Sequence, residues 1–315
     1  MNRKLSYTPG AFAKRVRMSK ETALFIIVEG RDFDTPFYEG VAKSSDYVNQ
    51  KGYQVWLIEQ ITRRVGVAGE SKTAGGKAAL IAVYDQYKQS NSLSVINSTG
   101  RRSIAFCADR DVDEVSKSLR RSRHVIYTPL ADAEACAYIY GDFARAIGRA
   151  ASLDKESAKA FAEQNADWTT EFARLWKDWI ELCCLAAAHR AFCHVGTSKL
   201  SAVNEGAFGP LIKAEVARAK RVILLKSQVH AAEHAALEQK VKDRLRRIYG
   251  AGKARRLLGK HWILAYLLHL LSRQFGEDPV TLTNFKHRAP IAFLDALDFD
   301  ASWATYYRRK FEALV

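Results

Sequence analysis

From about residue 22 to residue 148, short apolar runs alternate with stretches whose apolar residues recur at helical spacing. Leu24–Val28 (LFIIV) has the length and β-branched content of a buried strand. Residues 33–42 follow with Phe37, Tyr38 and Val41 on one side, the pattern of a helix packed against a sheet. Residues 53–58 (YQVWLI) predict a second strand, 104–108 (IAFCA) a third and 124–127 (HVIY) a fourth. Helical spacing is found at 77–88 and 134–147, while 63–76, rich in Gly, Ser and charge, reads as a loop. Strands separated by helices of this length predict a parallel sheet with right-handed crossovers. Beyond Gly148 strand-like runs are scarce, and 152–164, 169–194, 208–249, 261–275 and 301–314 all read as helices. The expected fold is α/β: a parallel sheet flanked by helices, followed by a mostly α-helical domain. Its expected divisions are an N-terminal extension at 1–21, a sheet domain at 22–148 and a helical domain at 149–315.

Two of these strands run straight into acids. The first ends on Glu29-Gly30, with Asp32 and Asp34 close behind, and the third ends on Asp109, Asp111 and Asp113 in ADRDVDE. In an open parallel sheet the loops beyond the carboxyl ends of the strands form the binding crevice. If the two strands are neighbours, their acids converge there. Hard oxygen ligands of this kind suit Mg²⁺ or Mn²⁺, which keep several waters and bridge to phosphate. Gathered carboxylates repel one another, and a divalent cation relieves that repulsion. For Asp32 and Asp113 the plainer alternative is capping of the helices that follow.

A Glu-Gly after the first strand with an Asp-x-Asp after a later one resembles the TOPRIM fold of topoisomerases, bacterial primases and OLD-type nucleases. The matching positions are Glu29-Gly30 and Asp109-Arg110-Asp111, within 22–148. More narrowly, VEGRDFDTPFY at 28–38, GGKAAL at 75–80, ADRDVD at 108–113, Glu134 and GKHWILAYL at 259–267 resemble the AriB-like effectors of PARIS anti-phage systems. That resemblance implies metal-dependent phosphodiester chemistry. Asp109 and Asp111 would hold the metal, Glu29 would be a ligand or the general acid/base, and Asp113 and Glu134 would serve a second ion. It also implies an RNA substrate, transfer RNA in particular, an ABC-type ATPase partner of the AriA kind, and a homodimer when active. A DNA endonuclease or nickase of OLD type, and a non-catalytic adaptor that docks on an ATPase, remain alternatives.

Composition changes the picture mainly through charge. With 26% charged and 48% hydrophobic residues the chain is globular rather than disordered. The balance of 49 Lys+Arg against 34 Asp+Glu favours a polyanionic partner. Residues 211–260 hold 14 Lys+Arg against four Asp+Glu, so the charge is concentrated in the helical part. Arg244, Arg247, Arg255 and Arg256 surround one Gly-containing turn there and are candidate phosphate contacts, with a solvated face or a protein-docking face as the alternative. Lys77 behind Gly75-Gly76 is a candidate phosphate contact at a helix start, although the P-loop spacing is absent. Lys260 and His261, opening an apolar helix, are candidate substrate contacts.

Two metal patterns are set aside. His230-x-x-Glu233-His234 matches an inverted metalloprotease motif, but it sits in a basic helix with no third ligand in view. Cys183, Cys184, His189, Cys193 and His194 match no Cys-x-x-Cys spacing. The five cysteines, an odd number, fit reduced thiols in a cytoplasm. No apolar run approaches the roughly 20 residues of a membrane span.

Overall fold

Strand β1 (Leu24–Val28) is buried along its whole length and lies inside the sheet. The computed structural model describes residues 7–30, 32–62, 76–117, 119–191, 195–276 and 279–315, the last range without the side chains of 279–282. The other described strands are β2 (Tyr53–Leu57), β3 (Ser94–Asn97), β4 (Gly100–Ala108) and β5 (Val125–Tyr127). The described helices, in chain order, begin with α1 (Pro9–Met18), α2 (Asp34–Lys43), α3 (Asp46–Lys51), α4 (Ile58–Thr62), α5 (Gly76–Gln89) and α6 (Asp113–Ser116). Next come α7 (Ala133–Tyr140), α8 (Phe143–Ala151), α9 (Lys155–Gln164), α10 (Trp168–Leu175) and α11 (Lys177–Ala188). The last are α12 (Lys213–Leu225), α13 (His234–Gly250), α14 (Lys260–Phe275), α15 (Pro279–Asp295) and α16 (Thr305–Glu312). No helix among the described residues is long and apolar enough to cross a membrane.

The chain folds as two compact units. Unit 1 holds 1–109, 120–128 and 298–315, and unit 2 holds 110–119 and 129–297. The boundary expected at 148/149 therefore falls inside unit 2, and the last segment returns to unit 1.

Unit 1 carries the whole sheet, in the order β2-β1-β4-β3 with β5 also on β4. Strands β1, β2, β4 and β5 run parallel, as expected, and β3 runs antiparallel to β4. Ser103 pairs with both Leu24 and Ser94, and Phe106 with both Ile27 and Val125. Strands β3 and β5 therefore share the edge of β4 opposite β1. The pattern of apolar positions misses β3 because only half of it is covered, with Ile96 76% exposed. The local signal is the turn: Asn97 Oδ1 accepts from the Thr99 N–H at 3.0 Å, and Gly100 takes a positive φ of 110°. Helix α16 completes the core. Tyr307 meets the rings of Phe37 and Tyr38 at 5.7 Å each, and the Ser103 hydroxyl donates to the Leu314 carbonyl at 2.6 Å.

Inside this sheet His124 is buried. Its Nε2 accepts from Arg123 Nε at 3.2 Å, so Nδ1–H donates to the Ile104 carbonyl at 2.7 Å. Burial first, then Arg123 and Arg101, depress its pKa, against the pull of the Ile104 hydrogen bond. The unfolded chain takes up the proton first, near pH 6.5. The stability this histidine contributes is present above about pH 6.5 and lost as pH falls through its depressed folded pKa. Urea unfolding at pH 7.5 and pH 5 should show that loss, and His124→Gln should show a smaller one. Equal losses in the two proteins would contradict it.

Unit 2 is helical among its described residues, apart from the short bridge between Asn204 and Leu211. Three helices read as continuous are broken. The stretch 134–147 divides at Gly141-Asp142, where Asp142 Oδ1 caps α8 by accepting from the Arg145 N–H at 3.0 Å. A Cβ on Gly141 would lie 2.7 Å from the Ala137 carbonyl and 3.2 Å from that of Phe293, so only glycine allows the turn. The stretch 169–194 divides at Trp176, whose indole N–H donates to the Ala207 carbonyl at 2.7 Å; residues 192–194 lie outside the described residues. The stretch 208–249 divides at 226–233, where Ser227 Oγ and His230 Nδ1 take the backbone N–H groups of Val229 and Ala232. A stack of Phe172 on Tyr266 at 4.3 Å and of Trp176 on Phe208 at 5.4 Å forms part of the core.

Candidate metal and phosphodiester site

Glu29 follows β1 and Asp109 follows β4, and these strands are parallel neighbours in register from Leu24↔Ser103 to Ile27↔Phe106. The side chain of Glu29 reaches across: its Oε1 accepts from the Asp109 backbone N–H at 3.2 Å. Both residues are half-buried at the carboxyl ends of their strands. Asp34 explains the glycine. Its Oδ2 accepts from the Gly30 N–H at 2.7 Å, and a Cβ on Gly30 would sit 3.1 Å from that oxygen. The buried Asp34 thus ties the end of β1 to the first turn of α2. It also helps burial raise the pKa of the Cys107 thiol. Capping by Asp32 is not found: α2 has Phe33 at its N-cap and no side-chain cap.

The remaining acids belong to unit 2. Asp111 has a left-handed backbone, φ 48°, which aspartate tolerates better than most residues, and its N–H donates to the Ala131 carbonyl at 2.7 Å. Asp113 opens α6 without capping it and pairs with Lys117 at 3.0 Å. A cavity of about 150 Å³ is lined by Asp111, Asp113, Ser116, Lys117 and Thr197 among others. Glu134 is buried and paired with Lys260 at 2.6 Å, while its Oε2 has no hydrogen-bond partner among the described residues. Asp132, which the sequence reading passed over, is the third member of that cluster. It caps α7 through the Ala135 N–H at 2.7 Å and accepts from the Lys260 N–H at 2.9 Å. Burial and then Glu134 push its carboxyl up to about 7, against the Lys260 interactions. The Asp-x-Glu spacing at 132–134 was the available signal.

The basic candidates separate into two kinds. Arg247 and Arg255 are exposed, the latter with its guanidinium 5.9 Å from the Tyr140 ring centroid. Arg244 and Arg256 are engaged within unit 2: Arg244 donates to the Val115 and Lys117 carbonyls, and Arg256 pairs with Glu114 at 2.8 Å. As phosphate contacts they would have to give up those partners. Lys77 is the second residue of α5 and half-buried; Gly75 and the rest of 63–75 lie outside the described residues. His261 is exposed on the first turn of α14.

No family model, curated protein or solved structure matches this chain.

The fit of a metal to these acids rests on donor chemistry. Glu29 and Asp109 offer hard oxygens. Among the described residues no three His, Cys, Asp or Glu side chains form a ready cage for a metal ion. Cys183 and Cys184 are buried free thiols, and Cys193 and His194 lie outside the described residues. His230 precedes the helix that His234 begins, so the two do not present one helical face.

Proposed function

We propose that this chain is a Mg²⁺- or Mn²⁺-dependent nuclease that hydrolyses phosphodiester bonds in RNA, transfer RNA in particular, as a defence effector restrained by an ATPase partner. The observation that carries the chemistry is the meeting of Glu29 with Asp109 at the carboxyl ends of adjacent parallel strands. Glu29 and Asp109 would hold the ion, and the resemblance described above adds Asp111 to its ligands. A bound ion would neutralise charge on the phosphoryl group and lower the pKa of a water. Alternatively Glu29 would act as the general base that takes a proton from an attacking water, with the Asp109 N–H, which donates to its Oε1, fixing its orientation. The exposed Arg247 and Arg255 supply phosphate contacts that position a polyanion without reading its sequence. The choice of RNA, the effector role, the ATPase partner and the active homodimer follow from the resemblance described above.

The test is cleavage by purified protein of labelled transfer RNA, other RNA and DNA. Cutting should require Mg²⁺ or Mn²⁺ and stop with EDTA. Arg247→Ala should weaken binding of all RNA sequences about equally and reduce the salt slope by about one. Cutting that survives EDTA would reject the metal-dependent reading, and cutting of DNA alone would move the substrate.

A further inference from the structure

The basic segment carries two arginines that point at an acidic segment of the same unit. Helix α6 is a single turn directly behind Asp111, and Asp113 is its first residue. A helix that short leaves carbonyls at its end with no intrahelical partner. Arg244 supplies it: Nη1 donates to the Val115 carbonyl at 2.8 Å and to that of Lys117 at 3.2 Å. Arg256 takes hold of the same turn by its side chain. Its Nη2 lies 2.8 Å from Glu114 Oε2, and Arg110 Nη1 approaches that oxygen at 2.7 Å from the opposite end of the turn. Glu114 is therefore a bridge between Arg110 and Arg256, and its other oxygen, Oε1, is buried without a hydrogen-bond partner among the described residues.

From this geometry we propose that Arg244 and Arg256, the latter through Glu114, are positioning residues that hold the 110–117 turn, and with it Asp111 and Asp113, in place. The role of the turn in catalysis rests on the nuclease reading above; the bracing itself does not. Two alternatives for these arginines are displaced. They are not members of a solvated basic face, because Arg244 Nη1 donates to backbone carbonyls and Arg256 Nη2 to the Glu114 carboxylate. Nor are they primary phosphate contacts, because a phosphate would have to outcompete a carboxylate and two carbonyls already in reach. The turn needs such a brace: one helical turn does not hold itself, and Asp111 carries a left-handed backbone that its surroundings must maintain.

Hydrogen exchange separates the possibilities without any activity measurement. In Arg244→Ala and in Arg256→Ala, amides of 110–117 should exchange at least tenfold faster, while the amides of β1 and β4 keep their rates. Affinity for transfer RNA and its salt slope, measured in EDTA, should stay within a factor of two. Arg256→Ala combined with Glu114→Ala should loosen the turn no more than Glu114→Ala alone, because Arg256 acts through Glu114. Where cleavage is detected, kcat should fall and KM should hold. Should Arg244→Ala not fold, Arg244→Lys, which keeps a donor but loses the fork, should give an intermediate rate of exchange. Unchanged protection of 110–117 together with weaker binding and a shallower salt slope would overturn the proposal. Faster exchange in a protein that cuts nothing would leave the brace standing and reject the nuclease reading alone.

Discussion

Glu29→Gln should leave the protein folded and cut the proposed nuclease activity by about 10²–10⁴-fold. Glutamine keeps the length of the side chain and one oxygen for the Asp109 N–H, so the contact that Glu29 makes with the neighbouring strand survives. What goes is the negative charge and the ability to accept a proton. A thermal melt should move little, while cleavage of labelled RNA in Mg²⁺ collapses. Asp34→Ala supplies the contrast. Asp34 is buried and holds the half-buried Gly30 N–H, so its loss strands that donor and should cost about 1 kcal/mol or more of stability. If Glu29→Gln keeps more than a tenth of the activity, Glu29 is a structural link between strands and the catalytic assignment fails.

Gly52→Ala should be the most damaging small substitution in unit 1, costing about 2–5 kcal/mol. Gly52 ends α3 with φ 77° and ψ 137°, a region that side chains enter at about 1–3 kcal/mol. An added Cβ would also lie 2.2 Å from the Glu21 carbonyl oxygen, where backbone on both sides leaves little room to yield. Overpacking of that kind adds about 1–3 kcal/mol. The site matters because the Gly52 carbonyl accepts from the N–H groups of Ala23 at 2.9 Å and Leu24 at 3.2 Å, setting where β1 begins. Against a total stability of about 5–15 kcal/mol the loss is large. Urea unfolding checks it, with Gly250→Ala as the control: a Cβ there meets nothing within 4 Å. Equal midpoints for the two variants would refute the argument.

The acids at the strand ends were legible because topology does the work: once β1 and β4 are parallel neighbours, Glu29 and Asp109 must come out at the same end of the sheet. The roles of the arginines were not legible, because a count of charges along 211–260 carries no information about acceptors. Only the fold shows that Arg244 ends on two carbonyls of the 110–117 turn, while the exposed Arg247 donates to the Asp243 carbonyl of its own helix. The helix breaks at 141–142 and 226–233 were missed because a capping or turn-forming side chain, Asp142 or Ser227, overrode good helical spacing. The destination of 298–315 was hidden for a different reason. Tyr307, Phe311 and Leu314 mark one apolar face of a helix, but periodicity does not say which core that face will meet.

That last segment has a consequence for the order of synthesis. A ribosome delivers residues 298–315 only after every residue of unit 2, yet they complete the core of the sheet unit. Until then Phe37 and Tyr38 lack the Tyr307 ring, Ser103 lacks the Leu314 carbonyl, and the Tyr127 carbonyl lacks the Tyr306 hydroxyl that donates to it at 2.9 Å. Contacts so distant along the chain form late and close a large loop. A nascent chain therefore carries both Glu29 and Asp109 long before it can hold them firmly. For a nuclease of the proposed kind, surrounded by the transfer RNA of the ribosome that is making it, the sheet unit cannot be completed until that tail has been made.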